Sequence, residues 1–310
     1  MYVVDLSVKL ALIIFVGFVA GKLRIIGETA QKNIMGLLMN LALPCLIVTS
    51  FAVDPAAAEI WHFGAVVLAA VITLLLSGLL GHLIYIRMGR SDMGAAVKVC
   101  LIFTNVSFFG VPVAAALYGG ALFMYYNVFG SVVRTANYAF SPLFLGNKAP
   151  KRGFCAGLKD LLSPPLVAVI VGLVFYFSSL TLPRPLEQAV ASIGDMTSPM
   201  GMLVIGAMLS RARLSDMRKM PVTLLITLMR LVLLPAAGVG ILWLLGVEEY
   251  LFRLVTLYLC MPVGMLLPSY IMRFRPSPDG ELVASISVCL TSVLCIFTIP
   301  VWATVLDLLF

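Results

Sequence analysis

The sequence predicts an all-α integral membrane protein of ten transmembrane helices, arranged as two inverted five-helix repeats with broken crossover helices 4 and 9. Three observations support this prediction: a very apolar composition, ten apolar segments of spanning length, and prolines that recur half a chain apart. Of the 310 residues, 62% are hydrophobic and 11% are charged, and the mean hydropathy is +1.09. Because soluble domains carry about 25% charged residues, this chain needs a lipid bilayer around it.

Ten segments are long and apolar enough to cross a bilayer, which takes about 20 largely apolar residues. Only short loops join them, so we expect a single transporter domain that uses the whole chain, 1–310. The segments are 3–22, 31–53, 60–86, 94–118, 121–145, 161–182, 187–209, 221–245, 250–272 and 282–306.

The loops between these segments alternate in charge. Sixteen Lys and Arg residues flank the segments on one side, and three flank them on the other. Since loops rich in Lys and Arg stay in the cytoplasm, the sequence predicts a multi-pass protein with both termini outside. The net charge of +7 follows from this topology and requires no nucleic-acid partner.

Prolines repeat along the chain at an offset of about half its length. Three pairs are separated by 155, 156 and 158 residues, namely Pro44 and Pro199, Pro112 and Pro268, and Pro142 and Pro300. The pairs agree with a division into repeats 1–150 and 151–310. Because each repeat has an odd number of spans, the second repeat would enter the membrane from the opposite side, as in many secondary transporters.

In transporters of this plan, substrates bind where helices are interrupted in both halves. The fourth span reads "TNVSFFGVPVAAALYG", with an expected break from Asn105 to Pro112. The ninth reads "CMPVGMLLPSY", with Pro262, Gly264 and Pro268. Interrupted helices present backbone N–H groups at a positive dipole end, which favours an anionic group. Ordinary proline kinks are the alternative interpretation.

The fifth span carries polar residues along one helical face. Asn127, Ser131, Arg134, Asn137 and Ser141 recur every three or four residues, so they share a face about 120° wide. A charge at mid-membrane costs about 3 kcal/mol or more unless it is paired or solvated. This face is therefore expected to point into the protein. Arg134 would contact a substrate carboxylate or, alternatively, an internal partner.

A second intramembrane arginine and several missing motifs complete the residue-level picture. We interpret Arg230 in the eighth span as a structural anchor or, alternatively, as part of the same cavity. The six cysteines show no metal-ligand spacing, and no hydrolase or zinc-protease motif is present. The sequence therefore predicts no enzyme, no cofactor and no metal. Neither break contains Asp or Glu, so acid-based ion coupling at the breaks finds no support.

Several of these segments resemble the auxin efflux carrier family. They are "GLLMNLALPCLIVTSF", "TNVSFFGVPVAAALYG", "LITLMRLVLLPA" and "MPVGMLLPSYIMRF", and the resemblance extends over essentially the whole chain. It implies a fold like that of the bile acid symporters and NhaA, with elevator-type transport. Scaffold helices would span about 3–53 and 161–209, and transport helices about 60–145 and 221–306. The lack of a long central loop resembles the short bacterial members.

The same resemblance suggests which residues contact the substrate. Asn105 matches the family's asparagine beside the substrate, Pro112 and Pro262 match the crossover prolines, and Gly264 matches a small residue after the second. Together with neighbouring polar and glycine positions they make up the predicted substrate site: Thr104, Asn105, Gly110, Pro112, Arg134, Asn137, Pro262 and Gly264.

The expected function is a permease that moves a small organic anion, a mono- or dicarboxylate, across the bacterial cytoplasmic membrane. Two alternatives remain: a Na⁺-coupled organic anion symporter of the bile-acid type, and a non-transporting membrane sensor on the same scaffold. The expected partners are the anion and the lipid bilayer. Gly17 and Gly21 form a GxxxG motif, which permits close helix packing within one bundle or in a homodimer.

Overall fold

A computed structural model describes residues 2–52, 60–145, 163–178, 182–211 and 221–310. Within these ranges the chain is all-helical apart from its loops and one isolated β-bridge. The predicted α-helical class is confirmed. Five of the described helices are long and apolar enough to cross a membrane: Glu28–Ser50, Trp61–Arg87, Arg184–Leu209, Pro221–Leu244 and Pro278–Leu309.

Twelve helices are present in the described ranges, six in each half of the chain. The first half contains α1 (Tyr2–Lys22), α2 (Glu28–Ser50), α3 (Ile60–Arg87), α4 (Asp92–Ile102), α5 (Val106–Leu117) and α6 (Gly120–Leu145). The second half contains α7 (Pro164–Ser178), α8 (Arg184–Leu209), α9 (Pro221–Leu244), α10 (Glu249–Cys260), α11 (Leu267–Phe274) and α12 (Pro278–Leu309).

The two halves follow the same order of elements. In each, two short helices stand where the sequence predicts one spanning segment, and a long helix follows them. The predicted fourth span corresponds to α4 and α5, and the predicted ninth span corresponds to α10 and α11. Both spans are therefore interrupted, as expected from their composition.

Three of the described helices contain a short π-helical segment, and each of these segments ends two residues before a proline. A proline lacks the backbone N–H, and its ring clashes with the carbonyl four residues earlier. The wider π turn removes that clash, so the helix continues past the proline. The segments are Leu38–Ala42 before Pro44, Val106–Gly110 before Pro112, and Met229–Leu233 before Pro235.

This arrangement corrects the predicted position of the first break. Pro112 does not open the chain, because it is the second residue of a regular α-helical turn inside α5. A proline is tolerated there because the π turn ahead of it removes the clash with its ring. The non-helical residues lie earlier, at 103–105. Pro268 likewise occupies the second position of α11 rather than the break itself.

The chain divides into two compact units. Unit 1 comprises Met1–Leu68, Ser107–Val132 and Leu158–Arg211, and unit 2 comprises Ala69–Val106, Val133–Gly157 and Ala212–Phe310. Unit 1 includes the predicted scaffold helices, together with α5 and the first parts of α3 and α6. The predicted assignment of all of 60–145 to a transport domain stays a prediction.

Within unit 1, glycines bring α1 and α8 into backbone contact. A Cβ atom on Gly17 would lie 2.3 Å from the carbonyl oxygen of Leu203, and one on Gly206 would lie 2.0 Å from that of Ile14. A Cβ on Gly21 would lie 2.8 Å from the Cα of Ala207. The GxxxG motif of α1 therefore packs against α8 of the same chain, as small residues do between membrane helices.

Within unit 2, an apolar core surrounds the interruptions. It joins side chains of α4, α9, α11 and α12, including Val99, Ile226, Ile271 and Val283, all of which are buried. Open backbone at the interruptions is thus enclosed by apolar side chains. Every N–H and C=O group that the interruptions expose needs a partner from the protein.

Candidate substrate site at two paired helix breaks

Two interruptions of unit 2 are paired with each other. The first covers residues 103–105, between α4 and α5, and the second covers 261–266, between α10 and α11. Both begin with a residue in extended conformation, Phe103 with φ −101° and ψ 121° and Met261 with φ −68° and ψ 146°. We call this pair of segments the crossing.

Backbone hydrogen bonds hold the crossing together. The N–H of Asn105 donates to the carbonyl of Pro262 over 2.9 Å, and the N–H of Gly264 donates to the carbonyl of Phe103 over 3.0 Å. The exchange creates an isolated antiparallel β-bridge. Each break therefore supplies the partners that the other lacks, which is the condition for open backbone in a water-poor interior.

Gly264 allows the two backbones to approach this closely. A Cβ atom at this position would lie 3.3 Å from the carbonyl oxygen of Phe103 and 3.5 Å from that of Thr104. The first of these distances is tighter than an ordinary contact, and it involves backbone atoms that cannot rotate away. A larger residue would push the two backbones apart, so the small residue expected here suits the close pairing.

Arg230 bonds to the carboxyl-terminal ends of both α4 and α10. Its guanidinium donates to the carbonyls of Leu101 (2.8 Å), Met261 (3.2 Å) and Tyr258 (3.3 Å), and its side chain is completely buried. The hydroxyl of Tyr258 donates in turn to the carbonyl of Ile102 over 2.8 Å. The carboxyl-terminal end of a helix leaves carbonyls without partners and carries partial negative charge. Arg230 donates hydrogen bonds to such carbonyls and places a positive charge beside them. The predicted anchor role is confirmed.

A hydroxyl from α12 satisfies one further backbone group of the second break. The N–H of Val263 donates to Oγ1 of Thr291 over 3.0 Å, and that hydroxyl donates to the carbonyl of Ser287 over 2.6 Å. Thr291 is fully buried. The second break is therefore bonded on two sides, by the first break and by α12.

Four of the eight predicted site residues meet at the crossing: Thr104, Asn105, Pro262 and Gly264. The side chains of Thr104 and Asn105 are 2% and 4% exposed. They are the two polar side chains that the paired segments carry, because residues 261–266 read MPVGML. A burial of this degree places an amide and a hydroxyl in surroundings where polar groups interact strongly.

The other four predicted residues lie elsewhere. Gly110 ends the π segment of α5, and Pro112 is buried in the following turn, where its ring faces Gly201 of α8 in unit 1. Arg134 and Asn137 are three residues apart on the part of α6 that belongs to unit 2. Arg134 is 3% exposed, so its face lies inside the protein as predicted.

The first part of the polar face of α6 has a structural role. In unit 1, Nδ2 of Asn127 donates to Oγ of Ser50 (3.0 Å) and to the carbonyl of Phe123 (3.1 Å). The hydroxyl of Ser131 donates to the carbonyl of Asn127 over 2.8 Å. The side chain of Ser141, the last member of this predicted face, lies outside the described residues.

Sequence reasoning missed Tyr258 and Thr291, which complete the crossing. Neither had a usable signal, since a tyrosine or a threonine inside an apolar helix is common. The partners of Arg230 could not be predicted from the sequence either, because Leu101 lies 129 residues away along the chain. Among the described residues, no group of three His, Cys, Asp or Glu side chains lies close enough to hold a metal ion.

Comparisons with known proteins agree on the class of molecule. Two segments of the chain, 2–148 and 149–303, each match a family model described as "Membrane transport protein". A relative from Methanothermobacter thermautotrophicus, described as an uncharacterized transporter, is 23% identical over 305 residues, which make up 95% of this chain and 95% of the relative. The two matched segments meet close to the predicted repeat boundary at residue 150.

Proposed function

The chain belongs to the auxin efflux carrier family of membrane transport proteins, and on this premise we propose that it is a permease for a small organic anion. The anion is a mono- or dicarboxylate, and it binds at the crossing. We place the protein in a bacterial cytoplasmic membrane, with its basic loops in the cytoplasm and both termini outside, because of the charge asymmetry of the loops.

The observation that carries this proposal is the electrostatic asymmetry of the crossing. The negative ends of α4 and α10 are neutralised by the buried guanidinium of Arg230. The positive ends are those of α5, which begins directly after Asn105, and of α11, which begins at Leu267. With the negative ends compensated, the field of the remaining helix ends favours an anion.

Asn105 is the proposed contact for that anion. It is buried, and it stands at the start of α5, where the partial positive charge of the helix is greatest. A side-chain amide has two N–H donors, which suit the oxygens of a carboxylate. Thr104 supplies a hydroxyl from the neighbouring position, and Arg134 supplies full positive charge if α6 turns it toward the anion.

Alternating access of an elevator type is the proposed mechanism. It is supported by the repeated order of elements in the two halves and by the two successive family matches. The ten-span count and the inverted arrangement of the repeats form part of this proposal. Unit 2 contains both breaks, so it is the proposed carrier of the anion.

The crossing offers no carboxylate for a coupling ion. Residues 93–117 and 250–274 contain neither Asp nor Glu, and carboxylates are the usual intramembrane groups for binding Na⁺ or carrying H⁺. We therefore favour transport without Na⁺ over the bile-acid type of symport. Replacing Na⁺ by K⁺ on both sides of the membrane is expected to leave the flux unchanged.

Flux measurements with purified protein in lipid vesicles test the proposal. A panel of labelled mono- and dicarboxylates, including malonate and malate, would be offered to wild type and to the variant Asn105→Ala. We expect saturable flux of at least one carboxylate. Loss of one hydrogen bond to a charged group corresponds to about 1.5–3 kcal/mol, or roughly tenfold to a hundredfold in kcat/KM.

Asn33→Ala is the matched control, because Asn33 is an exposed asparagine on α2. It should transport like wild type, and thermal unfolding should show that both variants fold. Unchanged flux in Asn105→Ala would remove the crossing from the transport path. A carboxylate that binds and stabilises the protein but never crosses the membrane would indicate the sensor function instead.

A further inference from the structure

Lys98 is a buried lysine of unit 2 that the proposed transport mechanism does not use. It lies on α4, and its side chain and backbone are only 7% exposed. Its backbone packs against Gly81 of α3, where a Cβ atom would lie 3.0 Å from the carbonyl oxygen of Lys98. Lys98 lies near the start of the span predicted at 94–118, and its enclosure is a property of the fold.

Aromatic rings enclose the ammonium group of Lys98. Its Nζ lies 5.3 Å from the ring centre of Tyr85 and 5.1 Å from that of Phe144. These residues come from the ends of α3 and α6 that carry basic loops. Contacts of a cation with aromatic faces are favourable, but they offset only part of the cost of burying a charge.

The carboxylate of Asp92 is connected to this cluster through another cation, Arg275. Asp92 accepts a 2.6 Å hydrogen bond from Nε of Arg275, whose other nitrogens donate to the hydroxyl of Tyr85 and to the carbonyls of Arg90 and Leu145. Burial lowers the pKa of Arg275, but its bonds to Tyr85 and Asp92 outweigh that effect and raise it overall. Arg275 therefore stays charged.

Lys98 is the uncompensated charge of this group. Within the part of the chain that the structure describes, it makes no ion pair and no hydrogen bond. The group Lys98, Arg275 and Asp92 carries two positive charges and one negative charge. An ammonium that lies among aromatic rings without an anion is unfavourable in the folded protein, and the positive charge of Arg275 adds to that cost.

We propose that Lys98 is the binding residue of an oxyanion site at the basic edge of unit 2, distinct from the crossing. Its ligand is a carboxylate or a phosphate oxyanion that supplies a second negative charge to the group of Lys98, Arg275 and Asp92. Tyr85 and Phe144 shape the site, and Arg275 fixes Tyr85 through its hydroxyl. Two sources offer this chemistry: a soluble organic or inorganic anion, and the headgroup of an anionic phospholipid.

The site lies close to the crossing along α4, and this proximity does not depend on whether the crossing binds the transported anion. Lys98 precedes the last residue of α4, Ile102, by four residues, which corresponds to about 6 Å along a helix. An oxyanion held at Lys98 therefore lies one helical turn from the end of α4 that Arg230 caps. If the crossing binds the same anion, Lys98 would hold it on the side of the basic loops.

Thermal unfolding of the full chain in a neutral detergent, after removal of anionic lipid, tests the site. The probes are sodium phosphate, sodium malonate and a short-chain phosphatidylglycerol, with short-chain phosphatidylcholine as the uncharged reference. We compare wild type with Lys98→Met, which keeps the length of the side chain but removes the charge. Without a probe, Lys98→Met should be at least as stable as wild type, because no buried charge remains.

Anionic probes should raise the unfolding temperature of wild type and leave that of Lys98→Met nearly unchanged. The apparent affinity is expected to fall about tenfold or more, as for the loss of a hydrogen bond to a charged group. Stabilisation by phosphate or malonate identifies a soluble ligand, and stabilisation by phosphatidylglycerol alone identifies a lipid headgroup. Lys98→Arg should keep part of the response.

Lys22→Gln is the matched control. Lys22 also lies over an aromatic ring, at 5.6 Å from the ring centre of Phe18, but it is exposed. This variant should respond to the probes as wild type does. The proposal is overturned if no anionic probe stabilises wild type, or if Lys98→Met responds with the same affinity. A Lys98→Met protein that is less stable without a probe and equally responsive would show that Lys98 only fills space.

Discussion

The two breaks of the crossing hold matching places in the two halves of the chain, yet they differ in what they present. The first covers three residues, 103–105, and carries the hydroxyl of Thr104 and the amide of Asn105. The second covers six residues, 261–266, contains Pro262 and Gly264, and has only apolar side chains. Of the two breaks, the first alone therefore carries polar side chains.

The difference follows from how the breaks pair. Pro262 has no N–H to satisfy, and Gly264 has no Cβ to keep the opposite strand away. The second break can therefore receive the first at hydrogen-bond distance. Equivalent positions in two repeats thus have different tasks, and substitutions should affect them unequally.

The largest effect is expected where the two breaks share a support. Arg230→Met removes three hydrogen bonds and leaves carbonyls of both α4 and α10 without a partner. The free energy of unfolding should fall by about 3 kcal/mol or more, since buried groups left unsatisfied cost about 1–3 kcal/mol each. Thermal unfolding of purified protein measures this loss.

Arg230→Lys should recover part of the stability, because an ammonium can still donate to some of these carbonyls. Arg273→Met serves as control, since Arg273 lies over the ring of Phe274 at 5.4 Å but is exposed. A protein with Arg230→Met that unfolds at the wild-type temperature would show that the crossing does not depend on this residue.

A smaller loss is expected when the second break is kept from approaching the first. Gly264→Val places side-chain atoms against the carbonyls of Phe103 and Thr104, of which the first is 3.3 Å from a Cβ. Overpacking of this kind costs about 1–3 kcal/mol, and the unfolding temperature should fall accordingly. Transport should fall more steeply than stability, because the pairing beside Asn105 is displaced.

Gly240→Ala is the control for this substitution. Gly240 is an exposed helical glycine of α9 in the same unit, and nothing lies within 4 Å of an added Cβ. Alanine should stabilise it by up to about 1 kcal/mol through its higher helix propensity. Wild-type stability and transport in Gly264→Val would contradict the close pairing of the two breaks.

The smallest effect is expected at the third partner of the second break. Thr291→Val removes the hydroxyl that accepts from the N–H of Val263. A single hydrogen bond in a membrane protein contributes about 1 kcal/mol, so the unfolding temperature should fall slightly, and Thr291→Ser should restore it. Thr304→Val, at an exposed position of α12, is the control. Equal stability of Thr291→Val and Thr291→Ser would argue against this support.

Predictions from the sequence agreed with the structure where they depended on local properties. The eighth span was expected at 221–245 and α9 runs from Pro221 to Leu244, and the fifth was expected at 121–145 and α6 runs from Gly120 to Leu145. The length of an apolar segment and the residues that end it can be read directly from the sequence. The family was also predicted correctly, because its motifs are short and contiguous.

The first break was predicted too far along the chain for a physical reason. Proline is the strongest local signal of an interrupted helix, but the π turn ahead of Pro112 absorbs the missing N–H and the ring. The actual break, at 103–105, contains neither proline nor glycine. It is stable because residues 262 and 264 of the other half pair with it, and no local pattern reports that.

By itself, the sequence determined that this is an all-helical membrane protein with two interrupted helices, and that it belongs to a transporter family. These properties follow from composition, apolar length and contiguous motifs. Only the tertiary structure decided which carbonyls Arg230 caps, that Thr291 holds the second break, and that Lys98 is enclosed by aromatic rings. Each of those facts depends on groups that are far apart along the chain, and the packing of helices alone determines which of them meet.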